Sequence, residues 1–163
     1  MAGYSLRRAT LADIDALVRH RIRMFEDMGR MSAPEVNTDR LITEYRTWLG
    51  DMMPSGTYVS WVIDDADPGA ARTIVAGGGA TIIPWPPGPV YPGNRLAFVY
   101  NVYTEPEHRG RGLARQIMSA VHGFCQEAQI HSVALNASEF GQSLYESMGY
   151  RVTPSPMMFL ALG

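Results

Sequence analysis

The sequence contains few of the features that mark secreted or membrane proteins. Its 163 residues include a single cysteine, Cys125, so no disulfide can form within the chain. No apolar run approaches the roughly 20 residues that a membrane-spanning helix needs, and the N-terminus lacks a cationic stretch followed by an apolar core. We therefore expect a cytoplasmic protein without a membrane partner.

Charge of one sign and metal-binding side chains are also sparse. The formal net charge is -2, from 14 basic and 16 acidic residues, so no overall positive field attracts nucleic acid. The four histidines show no ligand spacing with one another or with Cys125, and we predict no metal site. Arg19, Arg21 and Arg23 cluster on one predicted helix, which we interpret as a solvated face.

The residues that are present indicate one mixed α/β domain over residues 1–163. Hydrophobic residues make up 46% and charged residues 18%, an ordinary balance for a globular protein. Apolar residues at helical spacing predict a first helix between Thr10 and Gly29, a second ending at Gly50, and two more at about residues 113–128 and 140–148. The consecutive Gly77, Gly78 and Gly79 predict a bulge or a close backbone approach within a strand. Runs of β-branched and aromatic residues predict seven strands, at residues 4–9, 57–63, 71–83, 95–104, 131–136, 150–152 and 157–162.

The segment from residue 102 to residue 114 carries the clearest chemical signal. A predicted strand leads into a short turn, and the turn leads directly into a helix. Gly110 and Gly112 allow the turn to be tight and a ligand to approach the backbone closely. The first amides of a helix lack intrahelical acceptors and its dipole favours negative charge, so the segment predicts a phosphate or pyrophosphate site. Arg109 and Arg111 add positive charge. Position 115 is Arg where a dinucleotide fingerprint needs a third glycine, and a mononucleotide P-loop is absent.

Two motifs in this sequence resemble those of a known family. The residues RGRGLA at 109–114 match the pattern R/Q-x-x-G-x-G/A, and LYESMGY at 144–150 is similar to L-Y-E-x-x-G-F/Y. Both patterns are signatures of the GNAT superfamily of acetyl-CoA-dependent N-acetyltransferases, and the order of predicted elements resembles that fold over essentially the whole chain. The resemblance implies a single-domain GNAT-like α/β fold. Its mixed, mostly antiparallel sheet would have about seven strands and four helices, and would be splayed at the central strands.

The resemblance also implies roles for individual residues in binding acetyl-CoA as cosubstrate. The backbone of Val102 and Thr104 would pair with the pantetheine arm, and Asn136 would bond to it from the other side. An amide near Val102 or Tyr103 would stabilise the oxyanion. Tyr145 would be the general acid that protonates the departing thiolate, because a phenol with an ordinary pKa of about 10 keeps its proton at neutral pH. The pyrophosphate would be bound by backbone amides of the turn, from Arg109, Gly110, Arg111, Gly112, Leu113 and Ala114.

The general base stays open at this point. A primary amine is protonated at neutral pH, so transfer needs a group or a water path that removes the proton. Some GNAT members use a glutamate on the central strand, but residues 95–104 contain no carboxylate, and Glu105 lies beyond the strand. The remaining candidates are Glu26, Asp27, Glu139, or a water held by Tyr100 and Asn101.

The acceptor is open as well. The function implied by the resemblance is transfer of an acetyl group from acetyl-CoA to a primary amine of a small-molecule acceptor, by direct attack through a tetrahedral intermediate. The alternatives are a catalytically weak CoA-binding sensor or regulatory domain, and a nucleotide-phosphate binder that does not use coenzyme A. Residues 157–162 could pair between subunits as edge strands and form a homodimer. Apolar residues near the first two helices would either contact an apolar or aromatic amine or pack the helices on the sheet: Met24, Phe25, Met28, Met31, Trp48, Met52 and Met53.

Overall fold

Strands and helices follow one another in the predicted order up to residue 147. A computed structural model describes residues 3–66, 71–89 and 91–162. Short 3-10 segments precede the first and third α-helices, at Leu11–Asp13 and Pro106–His108. The elements are β1 (Tyr4–Arg8), α1 (Ile14–Asp27), α2 (Thr38–Met52), β2 (Tyr58–Asp65), β3 (Thr73–Pro84), β4 (Arg95–Thr104), α3 (Leu113–Glu127), β5 (Val133–Leu135) and α4 (Gln142–Ser147).

A five-stranded sheet in the order β1-β2-β3-β4-β5 lies at the centre of the fold. Strands β1 to β4 are antiparallel, and β5 pairs with β4 in parallel. Both faces of the sheet are covered, which explains why β2 is buried along nearly its whole length. One core lies beneath α3, around Ile117, Met118 and Val121. The other lies beneath α1 and α2, around Leu17 and Leu49.

The ends of the helices follow local capping chemistry. The backbone N–H of Thr10 donates to Asp13 Oδ2 at 2.7 Å ahead of α1, and Asn37 Oδ1 accepts from the backbone N–H of Arg40 at the start of α2. Gly29, with φ 67°, follows the end of α1 as predicted. The predicted end of the second helix at Gly50 is wrong, because α2 continues to Met52. None of the helices in the described part of the chain could cross a membrane.

The three consecutive glycines of β3 lie where the backbone is crowded. A Cβ at Gly79 would lie 2.3 Å from the Val59 carbonyl oxygen, and one at Gly78 would lie 3.0 Å from Ile117 Cγ2. The predicted close backbone approach is therefore confirmed. The pairing of β3 with β4 shifts between Gly77 and Gly79, but the extra residue is not in the glycine strand. The bulge lies in β4, which has one residue more than β3 over this stretch.

The prediction of about seven strands is wrong, because residues 150–162 form no strand. Their β-branched, aromatic and aliphatic composition favours strands, but a strand also needs a neighbour with which to pair. Pro154 and Pro156 lack N–H donors, and β5, the nearest sheet edge, is only three residues long. The side chains of Met157, Met158, Phe159, Leu160 and Leu162 are 68–91% exposed.

Candidate active site

The sheet opens between β4 and β5. The two strands pair only from Ala97 to Val99, opposite Val133 to Leu135. Beyond Val99, β4 continues to Thr104 without a β5 partner, and a cleft of about 920 Å³ lies there. Its wall is formed by α1, the open part of β4, the turn before α3, the end of β5 and α4. The cleft therefore lies where main-chain groups of β4 are left without a neighbouring strand.

The bulge in β4 is centred on Asn101, which lines the cleft. Its φ is 58°, a left-handed conformation that asparagine tolerates better than most residues. The side-chain amide donates from Nδ2 to the Tyr45 hydroxyl at 2.5 Å, and its Oδ1 accepts from Arg21 Nη1. These contacts tie the bulge to α1 and α2, and they fix the backbone ahead of Val102.

The turn before α3 presents free backbone amides to the cleft. Gly110 and Gly112 have φ values of 74° and 76°, and Gly112 is the N-cap of α3 without a side-chain capping bond. The Gln116 N–H donates to the Gly112 carbonyl at 3.1 Å, so the amides of residues 113–115 precede the first α-helical bond. An anion can approach this end closely, because the glycines carry no Cβ. The turn therefore has the free amides that the sequence predicts, and anion binding to them stays a prediction.

The two arginines of the turn point in different directions. Arg109 lines the cleft, donates from Nε to the Thr104 carbonyl at 2.9 Å and from Nη2 to Asp27 Oδ2 at 2.5 Å. Arg111 instead donates from Nη1 to the Tyr4 hydroxyl at 2.8 Å, outside the cleft wall. Of these two arginines, only Arg109 places its side-chain charge in the cleft. The expectation that both side chains add charge there is therefore corrected for Arg111.

Tyr145 of α4 lies in the same cleft wall as the open part of β4. Burial raises the pKa of its phenol above the usual value, which keeps the hydroxyl protonated at neutral pH. The ring rests on the backbone of Gly141, where a Cβ would lie 2.8 Å from Tyr145 Cε2. It also meets the ring of Tyr150 edge-on, with centroids 5.8 Å apart. The neighbouring residues therefore hold a proton donor in place at the cleft.

Comparison with known proteins gives a family match over part of the chain and structural matches over nearly all of it. Residues 93–159, which contain β4, the turn, α3, β5 and α4, match the model of the acetyltransferase (GNAT) domain. The chain is also similar to a GCN5-related N-acetyltransferase from Ralstonia eutropha JMP134, with 29% identity, a TM-score of 0.82, and coverage of 97% of this chain and 99% of that one. The chain thus has the GNAT fold and contains a segment, residues 93–159, that matches the GNAT acetyltransferase domain. No curated protein sequence gives a match.

Two further solved structures are similar to this chain over nearly its whole length. A predicted acetyltransferase from Clostridium acetobutylicum, solved with acetyl-CoA, is 25% identical with a TM-score of 0.84, and the alignment covers 97% of this chain and 96% of that one. The aminoglycoside N-acetyltransferase AAC(6')-Iy, solved in complex with CoA, shares the fold at 14% identity and a TM-score of 0.72, over 99% and 96% of the two chains. The mixed α/β GNAT fold is thus present over nearly the whole chain.

The GNAT cleft brings most of the sequence-predicted residues together. Arg111 is the predicted cofactor residue that does not line it. Among the candidates for the general base, Asp27, Tyr100 and Asn101 line the cleft, whereas Glu26 and Glu139 do not. The predicted residues in the wall are Val102, Tyr103, Thr104, Arg109, Gly110, Gly112, Leu113, Ala114, Asn136 and Tyr145.

The arginines of α1 differ from the sequence interpretation of a solvated face. Arg19 and Arg23 form ion pairs with Glu105, which is 6% exposed beneath α1. Arg21 lines the cleft, and sequence reasoning missed it. One signal was present: Arg21 precedes Met24, Phe25 and Met28 at helical spacing, so all four residues share one face of α1.

The buried cluster around Glu105 positions α1 against the end of β4. His20 is 1% exposed, its Nε2 lies 3.4 Å from Glu105 Oε1, and its ring centroid is 5.2 Å from that of Tyr103. Burial lowers the pKa of His20 to about 4, so the ring is neutral at pH 7. The groups in this cluster fix α1, and with it the face that lines the cleft. The described residues contain no group of His, Cys, Asp and Glu arranged to hold a metal.

Proposed function

We propose that this protein transfers an acetyl group from acetyl-CoA to the primary amine of a small-molecule acceptor. The observation that carries the proposal is one cleft that contains the open part of β4, the amide-rich start of α3 and the phenol of Tyr145. The relative from Clostridium acetobutylicum that was solved with acetyl-CoA supports the choice of donor.

The donor half of the cleft suits an extended molecule with a pyrophosphate. The amides from Gly110 to Ala114 would bind the pyrophosphate, and the left-handed glycines in this turn let it approach the backbone. The predicted amide of Arg109 already donates to the Pro106 carbonyl at 3.3 Å.

The backbone of Val102 and Thr104 lies on the part of β4 that has no β5 neighbour, and it would bond to the pantetheine amides as a neighbouring strand does. The Thr104 carbonyl already accepts from Arg109 Nε. Asn136 would bond from the opposite wall.

The proposed reaction is direct attack through a tetrahedral intermediate. The amine nitrogen forms a bond to the thioester carbon, and the carbon–sulfur bond breaks. A backbone amide near Val102 or Tyr103 stabilises the oxygen that becomes negative. Tyr145 gives its proton to the departing sulfur, and its raised pKa suits that donation. The amine proton leaves through Asp27, or through water held by Tyr100 and Asn101, since these groups line the cleft.

Replacing Tyr145 with phenylalanine tests the proposed acid. Loss of a general acid typically costs about 100-fold or more in rate, so Tyr145→Phe should lower kcat about 100-fold. The dissociation constant for acetyl-CoA should stay within about twofold, because the aromatic ring remains in place. Thiol release measures kcat, and calorimetry measures the affinity. Tyr91→Phe makes the same chemical change outside this cleft and should leave both values unchanged. A kcat that is unchanged in Tyr145→Phe, with chemistry rate-limiting, would contradict the assignment.

A CoA-binding sensor or regulatory domain is the second candidate function. One observation favours it. Asp27 is the carboxylate in the described cleft wall, and its ion pair with Arg109 makes it a weaker acceptor for the proton of an amine. A sensor would bind acetyl-CoA and show no amine-dependent thiol release across a panel of amines. Steady acceptor-dependent turnover would eliminate the sensor.

We also propose a homodimer formed through the C-terminal segment, residues 157–162. These residues are apolar and largely exposed, while the outer edge of β5 has no paired strand in the described part of the chain. An open edge and an exposed apolar segment each need a partner. The C-terminal segments of two copies would pair with each other and bury these residues.

A cytoplasmic location is the remaining proposal. Cys125 is buried in the core beneath α3, and burial raises the pKa of its thiol. An inert, unpaired thiol suits a reducing compartment.

A further inference from the structure

Arg21 lines the cleft and has no role in the proposed binding of acetyl-CoA. The guanidinium of Arg21 lies 4.9 Å from the ring centroid of Phe25 and 4.6 Å from that of Tyr45. Its Nη1 donates to Asn101, and its Nε is buried without a hydrogen-bond partner. The two rings and the amide hold the guanidinium in one place, with Nη2 as the donor that a ligand can reach.

The charge of Arg21 is not balanced by a carboxylate among the described residues. Its helix neighbours Arg19 and Arg23 are both paired with Glu105, and Arg109 is paired with Asp27. Arg21 forms no ion pair and is partly buried in the cleft wall. A cation that has lost part of its hydration and has no counter-ion is costly, unless a ligand brings the opposite charge.

The position of Arg21 separates it from the phosphate end of the cleft. Its partner Asn101 is the bulged residue of β4, directly before Val102, whereas Arg109 and Arg115 belong to the turn and to α3. An anion at Arg21 would therefore lie beside the place where the amine meets the thioester. It would belong to the acceptor, because the phosphates of the donor would bind at the turn.

The face of α1 that follows Arg21 is apolar. Met24, Phe25 and Met28 lie at the helical spacing i+3, i+4 and i+7 from Arg21, and all three line the cleft. At 1.5 Å per residue, this face extends roughly 10 Å from the cation. It presents one positive charge near the reacting centre and a flexible apolar surface beyond it.

We propose that Arg21 binds the carboxylate of the acceptor, and that the acceptor is a free amino acid with an apolar side chain. The guanidinium would bind the carboxylate close to the reacting amine, and the side chain would lie along Met24, Phe25 and Met28. This substrate class rests on the proposed acetyl transfer, which it makes more specific.

A cycle of two substrates and two proteins tests the assignment. The substrates are phenylalanine and phenylalaninamide, which differ in the carboxylate, and the proteins are the wild type and Arg21→Gln. Hydrogen bonds to a charged group contribute about 1.5–3 kcal/mol, so kcat/KM for phenylalanine should fall about 10- to 100-fold in Arg21→Gln. The value for the amide should change less than threefold, and Arg21→Lys should recover part of the loss for the acid. Arg40→Gln, a charge removal on the exposed face of α2, should leave the ratio of acid to amide as in the wild type.

Binding of the product separates this inference from the proposed function. Calorimetry with the CoA-loaded protein should detect N-acetylphenylalanine, and Arg21→Gln should weaken its binding by a similar factor. If no amine is acetylated but this difference in binding is found, the acetyl transfer fails and the carboxylate site stands. If amines are acetylated but Arg21→Gln lowers kcat/KM equally for the acid and the amide, the carboxylate site is overturned and the transfer stands. Absence of both acetylation and binding of N-acetylphenylalanine overturns the site as well.

Discussion

Alanine substitutions in the glycine triplet of β3 should destabilise the fold by amounts that follow the space at each position. At Gly79 the new Cβ would lie 2.3 Å from the Val59 carbonyl oxygen and 2.8 Å from the ring and hydroxyl of Tyr58. The carbonyl belongs to β2, and Tyr58 is 1% exposed, so neither can move at small cost. Overpacking a core costs about 1–3 kcal/mol and occasionally more, and we expect about 3 kcal/mol or more for Gly79→Ala.

The neighbouring positions should be less sensitive. A Cβ at Gly78 would lie 3.0 Å from methyl groups of Ile117 and Val102, which can shift by a few tenths of an ångström, and 3.1 Å from the Val102 Cα, which is less free to move. We expect about 1–2 kcal/mol for Gly78→Ala. At Gly77 the nearest atom is His20 Nδ1 at 3.3 Å, and the cost should be nearly offset by the roughly 0.5–1 kcal/mol that alanine gains over glycine within a strand.

Urea denaturation measures the free energy of unfolding of each variant. The order of destabilisation should be Gly79, then Gly78, then Gly77. Gly123→Ala in α3 is the matched control, because a Cβ there meets no atom within 4 Å, and it should stabilise the protein by up to about 1 kcal/mol. The close packing of β3 against β2 would be refuted by a Gly79→Ala variant within 1 kcal/mol of the wild type, or by a larger effect at Gly77 than at Gly79.

Two further predictions concern pH and assembly. Because burial lowers the pKa of His20 to about 4 and the unfolded chain titrates near its ordinary value of about 6.5, the unfolded state binds more protons between these values. The free energy of unfolding should therefore decrease as pH falls from about 6.5 toward 4, by up to about 1.4 kcal/mol per unit. His20→Gln should reduce this slope in urea titrations, and an unchanged slope would exclude His20 as its source. Light scattering should give the wild type twice its 18.0 kDa chain mass, and Phe159→Glu should give a monomer with the wild-type circular dichroism spectrum. A wild type that is monomeric at every concentration tested would rule out the proposed dimer.

Local sequence determines the geometry of the turn in the proposed donor half of the site, which is why that geometry could be predicted. Gly110 and Gly112 take left-handed conformations that few other residues tolerate, and the helix after them necessarily leaves amides free. The crowding at Gly79 is likewise a backbone demand that the glycine triplet signals directly.

The rest depends on contacts between distant segments. Arg21 and Arg23 are two residues apart on α1, yet one lines the cleft and the other pairs with Glu105, and only the placement of α1 on the sheet separates them. The C-terminal residues 157–162 are strand formers by composition, but strand formation depends on a free neighbour and not on propensity alone. Asn101 lies within an ordinary run of strand residues, and nothing local signals its positive φ.

The bulge in β4 also shows that the sheet and the cleft have different requirements. Between the pairs Gly79–Tyr100 and Gly77–Tyr103, β3 advances by two residues and β4 by three. Without the surplus residue the two strands would pair regularly, and the side chains before and after it would keep their present faces. The sheet therefore does not need this residue. The cleft does, because Asn101 is the surplus residue that contacts both Arg21 and Tyr45. A chain one residue shorter here could form the same sheet, but it would lack the Asn101 side chain that connects β4 to Arg21 and Tyr45 at the cleft.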